Sequence, residues 1–398
     1  MYLFLLGRDK ELSKLELAVC LDKNKCGYAV VVECGSCLIL DIDKNKEQVL
    51  EMTKELSGTV RLGRVYHKSE KLDSEITSKL DFDFPRKFNY TISSFGLNDS
   101  EIFEIEGVLK KAVKQERCKA VYKKPVSHCK GKKGSKDKNH IANPDNYMSW
   151  NLTAGLELFV VKQDGCFFFS RTLYCSNPRE FAFLDKNRPE IKEKYNTSFR
   201  LASIMTNLLG LEKSKTIADP FCGTGTFLIE GLLKGYNVIG IDKDQEMIKS
   251  AEKNVRWAVN YFKLQNSFKL ICGDSAKTRF SADACVFEPY MGPFLKKQPS
   301  FSNCKDLVSE LNRIYFAVFS NLSRCLPSSA KVVCILPEFK ASNRKVLSID
   351  NRVFLDNGFA YVDVLKFDKG LGLKNKINYS TPDGSFIGRT INLLEKTM

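Results

Sequence analysis

The chain has 398 residues, 43% hydrophobic and 27% charged, the ordinary globular mixture, which excludes a wholly disordered chain, a collagen-like fibre and a coiled coil. Lys plus Arg number 62 against 47 Asp plus Glu, and the resulting net charge of +15 points to a polyanionic partner. No run approaches the roughly 18 consecutive apolar residues of a membrane span, the short apolar opening Met1–Gly7 has no basic residue before it and makes a poor signal peptide, and fourteen dispersed cysteines read as reduced thiols of a cytoplasmic protein.

In chain order, Tyr2–Leu6 is an apolar run and Glu11–Leu21 has apolar residues near helical spacing. Two β-rich runs follow, Tyr28–Glu33 and Leu38–Asp41, then a helix near Lys46–Leu56 and a strand near Thr59–His67. This β-α-β-β-α-β order is the ferredoxin-like pattern and sets a first domain over residues 1–70. Cys34-Gly-Ser-Cys37 joins the two strands. Four thiolates (Cys20, Cys26, Cys34, Cys37) could hold zinc, but Gly and Ser between β-rich runs favour a hairpin tip, and no metal is expected. His67, His128 and His140 have no partner at ligand spacing and read as surface or loop residues.

Residues 80–176 form a second α/β unit: a strand at Phe88–Ser94, a helix at Asp99–Glu116 capped by Asp99 or Ser100, a short strand at Cys118–Lys124, and strands at Leu156–Val161 and Cys166–Tyr174. Between 110 and 138 stand twelve basic residues, opposed only by Glu116 and Asp137. Lys110, Lys114, Lys119, Lys123, Lys124, Lys130, Lys132 and Lys133 are the candidates to neutralise phosphates, with Tyr122 placed to stack on a base. For Gly131–His140 a solvated basic loop is an equal reading. Residues 177–198 are polar, contain Pro178 and Pro189, and are expected to be a linker.

From 199 onward the pattern changes. After a helix at Phe199–Leu209, strands Thr216–Ala218, Val238–Ile241, Phe268–Ile271, Ala284–Phe287 and Val332–Leu336 alternate with helices Thr226–Lys234, Glu246–Tyr261 and Asp306–Cys325. Alternation of this kind predicts a mostly parallel sheet with helices on its faces. Ala360–Phe367 and Phe386–Leu394 are expected to close it as a long antiparallel hairpin.

The chemistry concentrates at the ends of these strands. Asp219-Pro-Phe-Cys-Gly-Thr-Gly-Thr226 lies between a strand and a helix, where glycines permit a tight turn and the helix N-terminus favours an anion. Asp242 follows the next strand, 19 residues after Gly223, the spacing for holding ribose hydroxyls. Asp274 ends the third strand and can reach an adenine edge. The candidate cofactor residues are therefore Asp219, Phe221, Cys222, Gly223, Thr224, Gly225, Thr226, Asp242, Lys243, Asp274 and Ser275. A dinucleotide loop wants a third glycine where Leu228 stands, so S-adenosylmethionine suits this crevice better. The fourth strand ends in Glu288-Pro-Tyr290. Glu288 and the carbonyl of Pro289 can accept hydrogen bonds from an exocyclic amine, and Tyr290 can stack on its ring.

These motifs resemble those of the class I S-adenosylmethionine methyltransferases that modify exocyclic amines. Tyr2–Arg8 followed by Glu11–Leu17, Asp185-x-x-Arg188-Pro189 and Phe386–Leu394 narrow the resemblance to the THUMP-domain tRNA guanosine-N2 methyltransferases, the archaeal and eukaryotic type acting on guanosine 10. The resemblance implies a ferredoxin-like domain, a THUMP domain gripping tRNA, and a Rossmann-like catalytic domain over residues 199–398. It also implies tRNA as partner and, as in some relatives, a small activating protein subunit. The family usually has Asp or Asn, two prolines and an aromatic where this chain reads Glu288, Pro289, Tyr290, Met291. Two other readings stand beside this one: DNA amino-methylation at adenine N6 or cytosine N4, and an RNA-binding subunit without catalysis.

Overall fold

The computed structural model describes residues 1–72, 75–79, 85–123, 155–192, 197–379 and 385–397. The first part of the chain runs β1 (Tyr2–Leu6), α1 (Lys10–Lys23), β2 (Tyr28–Cys34), β3 (Cys37–Ile42), α2 (Lys46–Lys54), β4 (Thr59–Ser69), α3 (Glu75–Ser78), β5 (Lys87–Phe95), α4 (Asp99–Gln115), β6 (Lys119–Tyr122), β7 (Gly155–Gln163) and β8 (Cys166–Cys175). The remainder runs α5 (Pro178–Asn187), α6 (Phe199–Asn207), β9 (Thr216–Asp219), α7 (Thr226–Leu233), β10 (Asn237–Asp242), α8 (Gln245–Phe262), β11 (Phe268–Cys272), β12 (Ala284–Phe287), α9 (Phe301–Cys325), β13 (Lys331–Lys340), β14 (Val346–Ser348), α10 (Arg352–Leu355), β15 (Phe359–Tyr361), β16 (Lys376–Tyr379) and β17 (Ile387–Lys396). Among the described residues no helix is long and apolar enough to cross a membrane.

The chain divides into two compact units. One holds Met1–Lys10, Asn24–Pro178 and Lys369–Leu371; the other holds Glu11–Lys23, Arg179–Asp368 and Gly372–Met398. The first unit is built on one eight-stranded sheet in the order β2-β3-β1-β4-β8-β7-β5-β6. Its first four strands have the ferredoxin-like order. The long β4 then pairs on its other side with β8, from Arg61 opposite Cys175 to Ser69 opposite Phe167, so the stretches expected as separate domains over 1–70 and 80–176 share a sheet. Cys34 faces Cys37 across the β2–β3 turn, and Gly35 takes a positive φ of 59° there, as a hairpin tip requires. His67 is not a surface residue: it is buried within β4 and stacks on Phe169 with ring centroids 5.7 Å apart. Helix α4 is capped by Asn98 rather than Asp99 or Ser100. The Asn98 side chain accepts from Glu101 N–H at 3.0 Å while Glu101 accepts from Asn98 N–H at 3.0 Å, a reciprocal box.

The second unit carries a nine-stranded sheet in the order β11-β10-β9-β12-β13-β17-β15, with β14 paired to β13 and β16 to β17. Strands β9 to β13 are parallel and β17 runs against them, the Rossmann-like arrangement that the alternation predicts. Helix α8 shows why these segments dock: Ile248, Ala251, Val255 and Ala258 are its buried apolar residues, spaced by three and four on one face. Asp244 caps its start, accepting from Glu246 N–H at 2.9 Å. On the sheet lies an aromatic-rich core of Phe287, Tyr315, Phe319, Phe339, Phe354 and Phe359.

Two expectations need correction in this unit. The stretch read as a linker contains helix α5, with Pro178 at its first position, where the missing N–H costs nothing. The strand expected over Ala360–Phe367 is cut short. β15 spans three residues, and Asp363 then accepts from Leu365 N–H at 3.1 Å to start a 3-10 turn over Val364–Lys366. The main partner of β17 is β13, not the 360s strand.

Candidate active site

Strand order reverses between β9 and β12, and in open α/β sheets the crevice outside the carboxyl ends of the strands at such a point takes the ligand. Asp219, Asp242, Asp274 and Glu288 all follow or end strands at this edge. The loop after β9 is a closed hydrogen-bonded structure. Phe221 N–H donates to Asp219 Oδ1 at 2.9 Å, Cys222 N–H to the Ile241 carbonyl at 2.9 Å, Gly223 N–H to Asp242 Oδ2 at 3.0 Å and Gly225 N–H to the Cys222 carbonyl at 2.7 Å. Those N–H groups are committed within the protein, so the loop offers little of the amide cradle a pyrophosphate needs. Gly225, at φ 89°, starts α7, and a Cβ there would stand 3.5 Å from Ala251 and Val255.

Leu228, where a dinucleotide loop has glycine, has its counterpart in the neighbouring strand. A Cβ on Gly240 would lie 2.5 Å from Leu228 Cδ1, 2.9 Å from Leu270 Cδ2 and 3.1 Å from Cys222 Sγ. The close helix–strand approach is made by a glycine in β10 instead of one in α7, and the Cys222 side chain points into this packing. Thr226 is likewise engaged: its Oγ1 accepts from Arg188 Nη1 at 2.7 Å. Of the expected cofactor residues, Phe221 is bonded to Asp219, Gly223 to Asp242, and Ser275 to the Pro220 carbonyl at the carboxyl ends of the strands, while Asp274 lies just past β11 and accepts from Ala276 N–H at 2.9 Å. Lys243 is exposed on the β10 side and Thr224 is buried in the loop.

Buried polar groups fix this loop from behind. Asn254 on α8 donates to the carbonyls of Thr224 and Glu190, both at 2.9 Å, and accepts from Glu190 N–H at 2.8 Å. Arg188 is buried over the Phe199 ring, 5.2 Å from its centroid. Burial draws its pKa down, with the Asp185 charge opposing. Asp185 in turn accepts from Phe199 N–H at 3.2 Å at the start of α6. Ser275 Oγ donates to the Pro220 carbonyl, and Asn321 Nδ2 donates to the carbonyls of Ser275 at 3.0 Å and Thr278 at 2.7 Å. Asp242 spends both oxygens on backbone, the second on Asp244 N–H at 3.0 Å, yet a carboxylate has lone pairs for further donors. Burial pushes the Asp219 carboxyl well above the usual range; the Phe221 N–H opposes this, and the charges of Asp242 and Glu288 add to it.

At the end of β12 the Glu288 carboxylate is held at both oxygens. Oε2 accepts from Thr197 Oγ1, and Arg389 Nη2 lies 2.9 Å from Oε1. The arginine is close but not aligned, so Oε1 accepts no hydrogen bond from the described residues. Tyr290 is 47% exposed, with its carbonyl fixed by the buried Tyr315 hydroxyl at 2.6 Å. Its ring is open to cover a planar group. Sequence reading missed Thr197, Asn254, Asn321 and Tyr315, which carry no motif. Arg188 and Arg389 stood inside quoted motifs but without a role.

In the first unit Lys111, Lys114, Lys119 and Lys123 are exposed, and Lys110 is exposed but paired with Glu106 at 3.1 Å. Tyr122 is not free to stack. Its ring packs on Tyr90 with centroids 5.3 Å apart, and burial and a hydrogen bond with Glu106 raise its hydroxyl pKa. Lys124, Lys130, Lys132, Lys133, His128 and His140 lie outside the described residues.

Residues 194–341 match the family of RMKL-like methyltransferase domains, and residues 110–253 match a DNA methylase family. The tRNA (guanine(10)-N2)-dimethyltransferase of Methanocaldococcus jannaschii is 37% identical over 91 residues, 22% of this chain and 25% of that protein. Its counterpart in Methanothermobacter thermautotrophicus is 36% identical over 95 residues, 23% of this chain and 27% of that protein. The matches thus span about a quarter of the curated relatives' length. The crystal structure of TrmN from Thermus thermophilus superposes with a TM-score of 0.51 at 15% identity, covering 99% of both chains. The chain therefore has the α/β fold of that protein, and its residues 194–341 are similar to the RMKL-like methyltransferase domains.

Proposed function

We propose that the chain is an S-adenosylmethionine-dependent methyltransferase that modifies the exocyclic N2 of a guanosine in tRNA, at position 10. The observation that carries the reaction type is Glu288, a carboxylate fixed at the sheet's switch point whose buried Oε1 accepts no hydrogen bond from the described residues. The guanosine and its position are taken from the relatives' names.

The crevice suits the cofactor. Its acidic strand ends match a cationic, hydroxyl-bearing ligand, and its internally bonded loop does not ask for phosphate. Asp242 would hold the ribose hydroxyls, Asp274 and Ser275 the adenine side, and Asp219 with the Phe221–Thr226 loop the amino-acid end. S-adenosylmethionine, when bound, supplies an electrophilic methyl on a positively charged sulfur. Glu288 Oε1 accepts a hydrogen bond from the guanine amine, which localises the nitrogen lone pair and takes up the growing positive charge there. Tyr290 covers the base and holds it in line. A base within a tRNA helix must leave its stack to reach this depth. The exposed lysines of α4 and β6 supply phosphate contacts in the unit we read as containing a THUMP domain. Reduced thiols suit the cytoplasm, and a small activating subunit is consistent with this reading.

Methyl transfer from labelled S-adenosylmethionine to unmodified bulk tRNA, followed by nucleoside digestion, tests the proposal. N2-methylguanosine is expected, and Glu288→Ala is expected to lower its rate by about 10²–10⁴-fold. The DNA methylase match over 110–253 favours a second reading, amino-methylation of DNA. Label in DNA and none in tRNA would replace the first reading by the second. Cofactor binding with no product on tRNA or DNA would make the chain a non-catalytic subunit.

A further inference from the structure

We infer that Arg389 is a positioning residue for the Glu288 carboxylate, holding Oε1 at the amine-accepting point from the antiparallel strand β17. This rests on the function proposed above. Glu288 lies one residue past the end of β12, and the residue before it, Phe287, pairs with Cys334 of β13. Arg389 pairs with Pro337, three residues further along β13. At about 3.3 Å per residue, that puts Arg389 roughly 10 Å beyond the level of Phe287, outside the carboxyl ends of the parallel strands. Only a strand running against the others brings an early residue, rather than a late one, to this edge. Two strand spacings separate β17 from β12, and the long arginine and glutamate side chains close that gap to 2.9 Å.

The geometry divides the work between the two oxygens. Thr197 donates to Oε2 and fixes the carboxylate plane. Arg389 stands beside Oε1 without an aligned hydrogen bond, so it anchors the charge while leaving lone pairs for the amine. Glu288 also stands within coulombic range of the buried Asp219, and the guanidinium offsets that like-charge repulsion. A shorter carboxylate at position 288 would draw back from Arg389. The arginine is thus the partner that the longer side chain requires.

The test uses the full chain in the tRNA assay. Arg389→Ala is expected to lower kcat by on the order of 10²-fold, the scale of a misplacement of about 1 Å, with KM for tRNA and the Kd for S-adenosylmethionine within about threefold of the parent. In a Glu288→Asp background, whose carboxylate no longer reaches the arginine, Arg389→Ala should cost less than about threefold further. Urea melts of the single and double variants show whether each folds, and Arg389→Lys, which keeps the charge but not the fork, should recover part of kcat. If the parent makes N2-methylguanosine and Arg389→Ala does so at an unchanged kcat, the inference fails while the proposed function stands. An equal loss in both backgrounds also overturns it, since Arg389 would then act independently of Glu288. A parent without product on tRNA ends the proposed function, and the positioning role with it.

Discussion

Each unit contains an arginine–glutamate pair, and the two differ in everything except chemistry. Arg61 and Glu157 in the first unit are 1% and 0% exposed. Glu157 Oε1 accepts from Arg61 Nε at 3.2 Å and from Ser93 Oγ at 2.5 Å; Oε2 accepts from Arg61 Nε at 2.9 Å and from Thr172 Oγ1 at 2.8 Å. These four residues come from β4, β5, β7 and β8, so the network crosses from the ferredoxin-like strands into the second half of the sheet. Arg389 and Glu288 are 30% and 12% exposed, and one carboxylate oxygen accepts no hydrogen bond from the described residues. A pair with every acceptor engaged can only hold structure. A carboxylate oxygen without a donor, as Oε1 of Glu288 is among the described residues, has acceptor capacity for a substrate amine.

The comparison breaks most visibly at Glu157. Glu157→Ala leaves a buried guanidinium without its counter-charge and should cost about 3–5 kcal/mol. Urea unfolding of the full chain should show it as a fall in the transition of the first unit. Replacing both partners, Arg61→Met with Glu157→Leu, should cost less than Glu157→Ala alone, because no buried charge is stranded. Equal losses would mean that the pair works through packing rather than charge.

A polar group that is buried, saturated and next to the crevice tests whether position or saturation decides. Asn254→Ala strands the carbonyls of Thr224 and Glu190 and the N–H of Glu190, for about 1–3 kcal/mol. Because the loop bearing Gly223 loses its anchor, S-adenosylmethionine binding should weaken about tenfold, or 1.4 kcal/mol. Calorimetric titration checks this, and an unchanged Kd would show that the loop holds its shape without α8.

What was legible in the sequence follows from the range over which each signal acts. The strands and helices from 215 onward are local apolar runs ended by Asp and Gly, so their alternation and the crevice at their ends could be read directly. Asn98 lost to Asp99 and Ser100 as the expected cap, although Glu101 three residues later marks Asn98 as the box partner. Pro178 suggested a linker because a proline breaks a helix interior, yet it is harmless at a first position. The pairing of β4 with β8 joins residues about a hundred positions apart, and the meeting of Thr197, Glu288 and Arg389 depends on the register of β17 against β13. Periodicity carries no information about either. His67 was misread for the same reason: its partner Phe169 belongs to a distant strand.

Two smaller effects sharpen the contrast between the units. Asp219 is buried, and its carboxyl holds its proton to higher pH than a free one. The unfolded chain releases that proton near pH 3.9. Above that value the folded state binds more protons than the unfolded, so this group's contribution to stability falls as pH rises, until pH passes the raised pKa. The slope is at most about 1.4 kcal/mol per pH unit. Asp219→Asn, which can still accept from Phe221 N–H, should remove that slope. Denaturant melts of parent and variant between pH 4 and 7 decide it, and parallel curves would mean that Asp219 is ionised in the folded chain.

The smallest expected change in stability is the most telling about function. Glu288→Gln keeps the volume and an acceptor for Thr197 while removing the charge beside Arg389. The pair is partly open to water, so the loss should be about 1 kcal/mol or less, well below that at Glu157. Yet the amide's carbonyl is a far weaker acceptor for an amine gaining positive charge, and methyl transfer should drop by on the order of 10²-fold or more. A variant that melts with the parent and fails in the tRNA assay would separate the two arginine–glutamate pairs cleanly. A fall of several kcal/mol with activity retained would reverse the assignment, making Arg389–Glu288 a second structural clamp and moving the amine-binding role to the Pro289 carbonyl.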